Sequence, residues 1–148
     1  MSFRRKSREL AMQALFYMDM EKSYSLEMFE KFMESFVESQ DADQDSVAPF
    51  SERLVSGVIE KREEIDTLLV EFSSNWKLSR MSGVDRNAMR IAIYEMLFCN
   101  DIPIKVSINE AIDIGKKYGA RDSGGFINGI LDTIRDHLEK KGSSKKGV

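Results

Sequence analysis

Apolar residues recur at every third or fourth position along nearly the whole chain, the spacing that gathers side chains on one face of an α-helix. Leu10, Ala11, Ala14, Leu15 and Met18 form one such stripe, and Leu26, Phe29, Met33, Phe36 and Val37 form a second. A third runs from Phe50 through Leu54, Val58, Ile65, Leu68 and Leu69 to Phe72, long enough for one helix or two. No segment alternates apolar and polar residues as a half-buried strand would. The pattern predicts an all-α fold of six to seven helices.

The segment from Asn87 to Phe98 departs from the amphipathic norm. Ala88, Met89, Ile91, Ala92, Ile93, Tyr94, Met96, Leu97 and Phe98 leave almost no polar face, so this helix is expected at the centre, behind a cap in Ser82-Gly83-Val84-Asp85. Ser107-Ile108-Asn109-Glu110 has the spacing of a capping box opening the next helix, which should stop at Gly119. Asp122 is expected to cap a last helix carrying Phe126, Ile127, Ile130, Leu131, Ile134 and Leu138. Gly115 and Gly129, on helix faces, should admit close helix approach. Residues 39–47, polar and acidic, read as a mobile loop. The chain divides into one helical domain, 1–140, and a disordered basic tail, 141–148.

At 148 residues, 42% hydrophobic and 32% charged, the chain has the balance of one globular domain with its own core. No apolar run reaches the length of a membrane span, and no apolar leader follows the charged start, so a cytoplasmic protein is expected. The lone Cys99 sits among apolar residues and reads as a buried thiol. The net charge of −3 is unevenly placed. Arg4, Arg5, Lys6 and Arg8 face a single acid, Glu9, in the first 18 residues, whereas residues 19–45 hold nine acids against Lys22 and Lys31. Such a polarised molecule orients its partners.

Groups for catalysis are scarce. The single histidine, His137, sits near the end of the last helix, where a cation suits the macrodipole. No Cys/His cluster offers a metal site, and the glycines at 115, 119, 124, 125 and 129 lack the spacing of a phosphate loop. The chain reads as a non-enzyme with no cofactor and no metal. RNA binding has more support. Arg4, Arg5, Lys6 and Arg8 oppose the dipole of the helix they begin, which points to phosphate contact, although a merely solubilising basic end explains them equally well. A second patch, Asp122-Ser123 with Phe126 and Asn128, joins a helix N-terminus to an aromatic ring and an amide. On residues alone, an ordinary helix start with Phe126 in the core explains this patch too.

The text of the chain then narrows the choice. Arg8-Glu9-Leu10-Ala11-Met12-Gln13-Ala14-Leu15-Phe16, Met89-Arg90-Ile91-Ala92-Ile93-Tyr94-Glu95-Met96 and Val106-Ser107-Ile108-Asn109-Glu110-Ala111-Ile112 resemble the NusB family of transcription antitermination factors. So do Lys117-Tyr118-Gly119, Asp122-Ser123 and Phe126-Ile127-Asn128-Gly129-Ile130-Leu131-Asp132, and the likeness spans nearly all of the chain outside 19–48. The resemblance implies two small packed helical bundles. It also implies binding to the boxA element of ribosomal RNA leaders, together with the ribosomal protein NusE, on elongating RNA polymerase. By position it assigns RNA contact to Arg4, Arg5, Lys6, Arg8, Asp122, Ser123, Phe126 and Asn128, and places Asp85 and Arg90 near the partner-facing surface. One departure bears on affinity: Gly125 stands where the family usually has Lys or Arg. Alternatives are a helical protein–protein adaptor, or an RNA-binding domain akin to those of rRNA methyltransferases. Against the latter, the chain ends after its helical part with no room for a cofactor-binding sheet. Some relatives form homodimers that hide the RNA surface, and the residues leave self-association open.

Overall fold

The computed structural model describes residues 3–37, 44–74 and 76–142. Six α-helices form there: α1 (Phe3–Glu21), α2 (Leu26–Val37), α3 (Gln44–Phe72), α4 (Gly83–Phe98), α5 (Ile104–Tyr118) and α6 (Ser123–Lys140), with one 3-10 turn at Leu78–Arg80. No strand occurs among the described residues. The first three helices pack together, the last three do likewise, and α1 and α3 lean on α4, which joins the two groups.

The central position of α4 follows from its composition. Ala88, Met89, Ile91, Ala92, Ile93 and Met96 are all at most 2% exposed, so every side of the helix meets another. Ser82 caps it as expected, its hydroxyl accepting the Asp85 amide. Between α1 and α3 the contact is close and polar: Ser7 Oγ donates to the Val47 carbonyl, and Ser51 Oγ donates to that of Ser7. Two small hydroxyls thus satisfy themselves where larger groups would hold the helices apart.

The long apolar pattern ending at Phe72 is a single helix with a kink at Lys61, where φ is −105° and ψ is 16°. One helix or two was open in the sequence, and a bent one resolves it. Residues 44–47 of the expected loop belong to its first turn, while 38–43 lie outside the described residues, as does the tail from 143. Val47 is why the helix starts early, being 2% exposed against α1.

Three further expectations need correction. Helix α5 starts at Ile104 behind Pro103, so Ser107 lies inside it and makes no capping box. Its hydroxyl donates to Glu95 instead, at 2.6 Å. Asp122 occupies the N-cap of α6 but makes no capping bond, and Ser123 Oγ accepts the Ala120 amide in its place. Gly129 meets nothing within 4 Å of a Cβ, so it admits no neighbouring helix, whereas at Gly115 a Cβ would lie 2.5 Å from Ile127 Cδ1. Only Gly115 has the role expected of both.

Candidate nucleic-acid interface

The basic arm is one turn of α1, and its cations differ sharply in placement. Arg8 is buried: its Nε donates to Glu95 at 2.7 Å and its Nη2 to the same carboxylate at 3.2 Å. Turning inward, it holds α1 to α4. Arg5 is 41% exposed and donates to Glu110 at 2.7 Å and to Asp113 at 2.8 Å. Arg4 reaches Asp101 at 3.3 Å and lies 4.4 Å over the Phe50 ring, which Arg53 also overlies at 5.6 Å. Bonding from Arg53, and more weakly from Arg4, holds the Asp101 carboxyl well below the ordinary range. Lys6 is exposed, with no ion pair among the described residues.

Helix α5 connects this arm to the second patch. Arg5 pairs with Glu110 and Asp113, and Glu9 one turn later pairs with Lys117 at 3.1 Å and accepts from the Tyr118 hydroxyl at 3.1 Å. The order of these bonds along both helices shows that α1 and α5 run in the same sense, bridged by side chains. From Glu110 to the end of α5 at Gly119 is about 14 Å along the axis, so arm and patch lie at the two ends of one short ridge. At its far end the Lys116 stem lies across Gly124, where a Cβ would sit 3.1 Å from it.

At the start of α6 the expected residues part company. Ser123 is fully buried, its hydroxyl spent on Ala120. Asp122 and Asn128 are exposed, and Phe126 is half-buried against the core. At roughly 100° per residue, Phe126 and Asn128 bracket an open arc of the helix that carries Asp122, Gly125 and Gly129. Nothing lies within 4 Å of a Cβ at either glycine. The helix backbone is bare between a ring on one side and an amide on the other. The Phe126 ring meets Trp76, with ring centroids 6.0 Å apart and the two planes inclined at 61°.

Neither partner-facing residue sits where a partner would first touch. Arg90 is 4% exposed and bonded to Asp66 at 2.8 and 2.9 Å, to Asp19 at 3.0 Å and to Asn87 at 2.9 Å. Burial alone would raise the Asp19 carboxyl, but bonds from Tyr24, Asn87 and Arg90, with the Arg90 charge, bring it down to about 2. Asp85 is 8% exposed, and its Oδ1 accepts no hydrogen bond among the described residues. Next to it in sequence, Val84 joins Met12, Gln13, Phe16 and Tyr118 around a shallow cleft of about 220 Å³.

The NusB family model matches residues 5–136. The chain belongs to the NusB family. A transcription antitermination protein NusB from Desulfatibacillum aliphaticivorans is 51% identical over 146 residues, covering 99% of each chain. One from Myxococcus xanthus is 44% identical, over 95% of this chain and 99% of its own. The solved T. maritima NusB superposes with a TM-score of 0.75 at 38% identity, covering 90% of each chain. A crystal structure of antitermination factors NusB and NusE in complex with dsRNA gives 0.78 at 26% identity, over 93% of this chain and 98% of that one. These NusB likenesses span the arm, the ridge and the start of α6 alike.

Sequence reasoning missed Arg53 and Phe50, which hold the arm, and Trp76. The first two fall inside a regular helical stripe and give no signal. Trp76 gave one: it is an isolated large ring in the polar run Ser73-Ser74-Asn75 and Lys77, outside any apolar stripe.

Proposed function

We propose that this chain is a transcription antitermination factor that binds boxA-type single-stranded RNA together with ribosomal protein NusE. It acts on elongating RNA polymerase during rRNA operon transcription in the cytoplasm, and it catalyses no reaction. Family membership supports this reading, and the observation that carries it is the ridge along α5. Exposed cations stand at one end, and a bare helix start flanked by Phe126 and Asn128 stands at the other. Arg4, Arg5 and Lys6 engage phosphates, and Asp122, Phe126 and Asn128 meet bases. Arg8 and Ser123 act from within, fixing the helices that carry these groups. The exposed cleft around Val84 and Phe16 is where a protein partner docks, and Asp85, buried at the start of α4, acts from beneath that surface. Arg90 belongs to the ion network beneath that face.

Fluorescence anisotropy with labelled boxA RNA, with and without NusE, at two salt concentrations, tests the proposal. The expected result is tighter binding with NusE and a log–log salt slope of roughly −2 to −3. Binding that ignores both NusE and salt would overturn it and favour a protein-only adaptor. Among the described residues no group of acids, His or Cys is arranged to hold a metal ion, and no helix is long and apolar enough to cross a membrane.

A further inference from the structure

The stretch joining α3 to α4 is held in a specific shape. Ser74 takes a left-handed conformation, φ +58°, which turns the chain sharply as α3 ends. The 3-10 turn that follows is clamped from below: Arg86 donates to the carbonyls of Leu78 and Met81 at 2.7 and 2.9 Å, and is itself tied to Asp19 at 2.9 Å. This anchoring delivers Trp76 to the Phe126 ring while leaving the indole 50% exposed. Burial explains neither the position nor the choice of residue, because half of a very large apolar surface stays in water. Lys77 and Arg80 flank it, both exposed and without an ion pair among the described residues.

We propose that Trp76 and Phe126 form a two-ring platform on which an unstacked base of the bound RNA lies, with Lys77 and Arg80 meeting the adjoining phosphates. This extends the RNA track past the start of α6 and onto the α3–α4 connection, and it rests on the reading of the chain as an RNA-binding antitermination factor. Tryptophan suits the task because every base offers it a π-face, and an indole inclined at 61° to Phe126 and half exposed keeps ring surface free for stacking. Two independently positioned rings also fix the angle of approach, which one ring on a helix end does not.

Trp76 is the chain's single tryptophan, so its emission reports on this site alone. Short unlabelled boxA-type RNA is titrated into the full chain with NusE while tryptophan emission is followed. The 3′-labelled RNA gives affinities for the wild type, Trp76→Ala and Trp76→Phe. The expected result is quenching that saturates with binding, affinity roughly 5- to 100-fold weaker in Trp76→Ala, and most of it kept in Trp76→Phe. Tight binding with unchanged emission, or quenching with no loss in Trp76→Ala, overturns the platform and leaves the antitermination reading standing. Failure of the wild type to capture RNA at all, even with NusE, overturns both. The quenching arm uses only the wild type, so unchanged emission on binding overturns the platform even if Trp76→Ala folds poorly.

Discussion

Arg8 and Glu95 form a two-pronged ion pair in the core, with 5% of the arginine side chain and none of the glutamate exposed to solvent. The Ser107 hydroxyl also donates to the glutamate, at 2.6 Å. Removing one partner strands the other's charge away from water. Arg8→Ala is expected to destabilise the fold by about 3–5 kcal/mol, and Arg8→Lys to lose part of that because a lysine cannot reproduce the fork. Lys6→Ala is the contrast: stability within about 0.5 kcal/mol of wild type, and a salt slope for RNA shallower by about 0.7. Urea melts beside anisotropy titrations separate the two. An Arg8→Ala protein that folds normally and only loses RNA would return Arg8 to the phosphate-contacting set.

Asp19 gives the protein an acid limb. Its carboxyl is lowered from an ordinary 3.8 to about 2 in the folded chain. Below both values the carboxyl is protonated in either state and contributes nothing. Above 3.8 its stabilisation is complete, so it is lost as pH falls from about 4 towards 2, on the order of 2 kcal/mol. In Asp19→Asn the protein should be less stable at neutral pH and show a flatter decline over that window. Parallel stability profiles for both proteins would refute this assignment.

Gly57 and Gly129 should respond oppositely to alanine. A Cβ at Gly57 would lie 2.1 Å from the Tyr94 ring, which must shift against Phe98 to make room. Gly57→Ala is expected to cost about 1–3 kcal/mol, with partial recovery when Tyr94 is shortened to Leu in the same chain. Gly129 faces open space inside a helix, so Gly129→Ala should stabilise by roughly 0.5–1 kcal/mol. Thermal melts of the three variants suffice.

Gly125 lies on the bare arc of α6, with nothing within 4 Å of where a Cβ would sit. Gly125→Lys should fold normally, tighten RNA binding, and steepen the salt slope by about 0.7. An unchanged slope would mean that no phosphate passes this point.

The helical fold was legible because the apolar period agrees with packing over most of the chain. The Ser82 cap, the buried α4 and the stop at Gly119 all follow from local pattern. Ser107 shows where that reading breaks down. Its spacing to Glu110 was a valid capping signal, but Ile104, 8% exposed, draws the helix start back to Pro103 and frees the hydroxyl for Glu95. Arg8 illustrates the same limit: nothing local separates it from Arg4 and Arg5, and carboxylates far along the chain, Glu95 foremost, turn it inward. Trp76 was visible as an oddity, but its meeting with Phe126 depends on a left-handed serine and an arginine clamp that no periodicity reports.

Carboxylates already hold two members of the arm: Arg5 by Glu110 and Asp113, Arg4 by Asp101. A polyanion reaching this end of the molecule therefore exchanges one anionic partner for another instead of neutralising a naked charge. On the proposed function, each such exchange returns less than contact with a bare cation would, so an RNA that also secures the far end of the ridge is favoured over one that meets the arm alone.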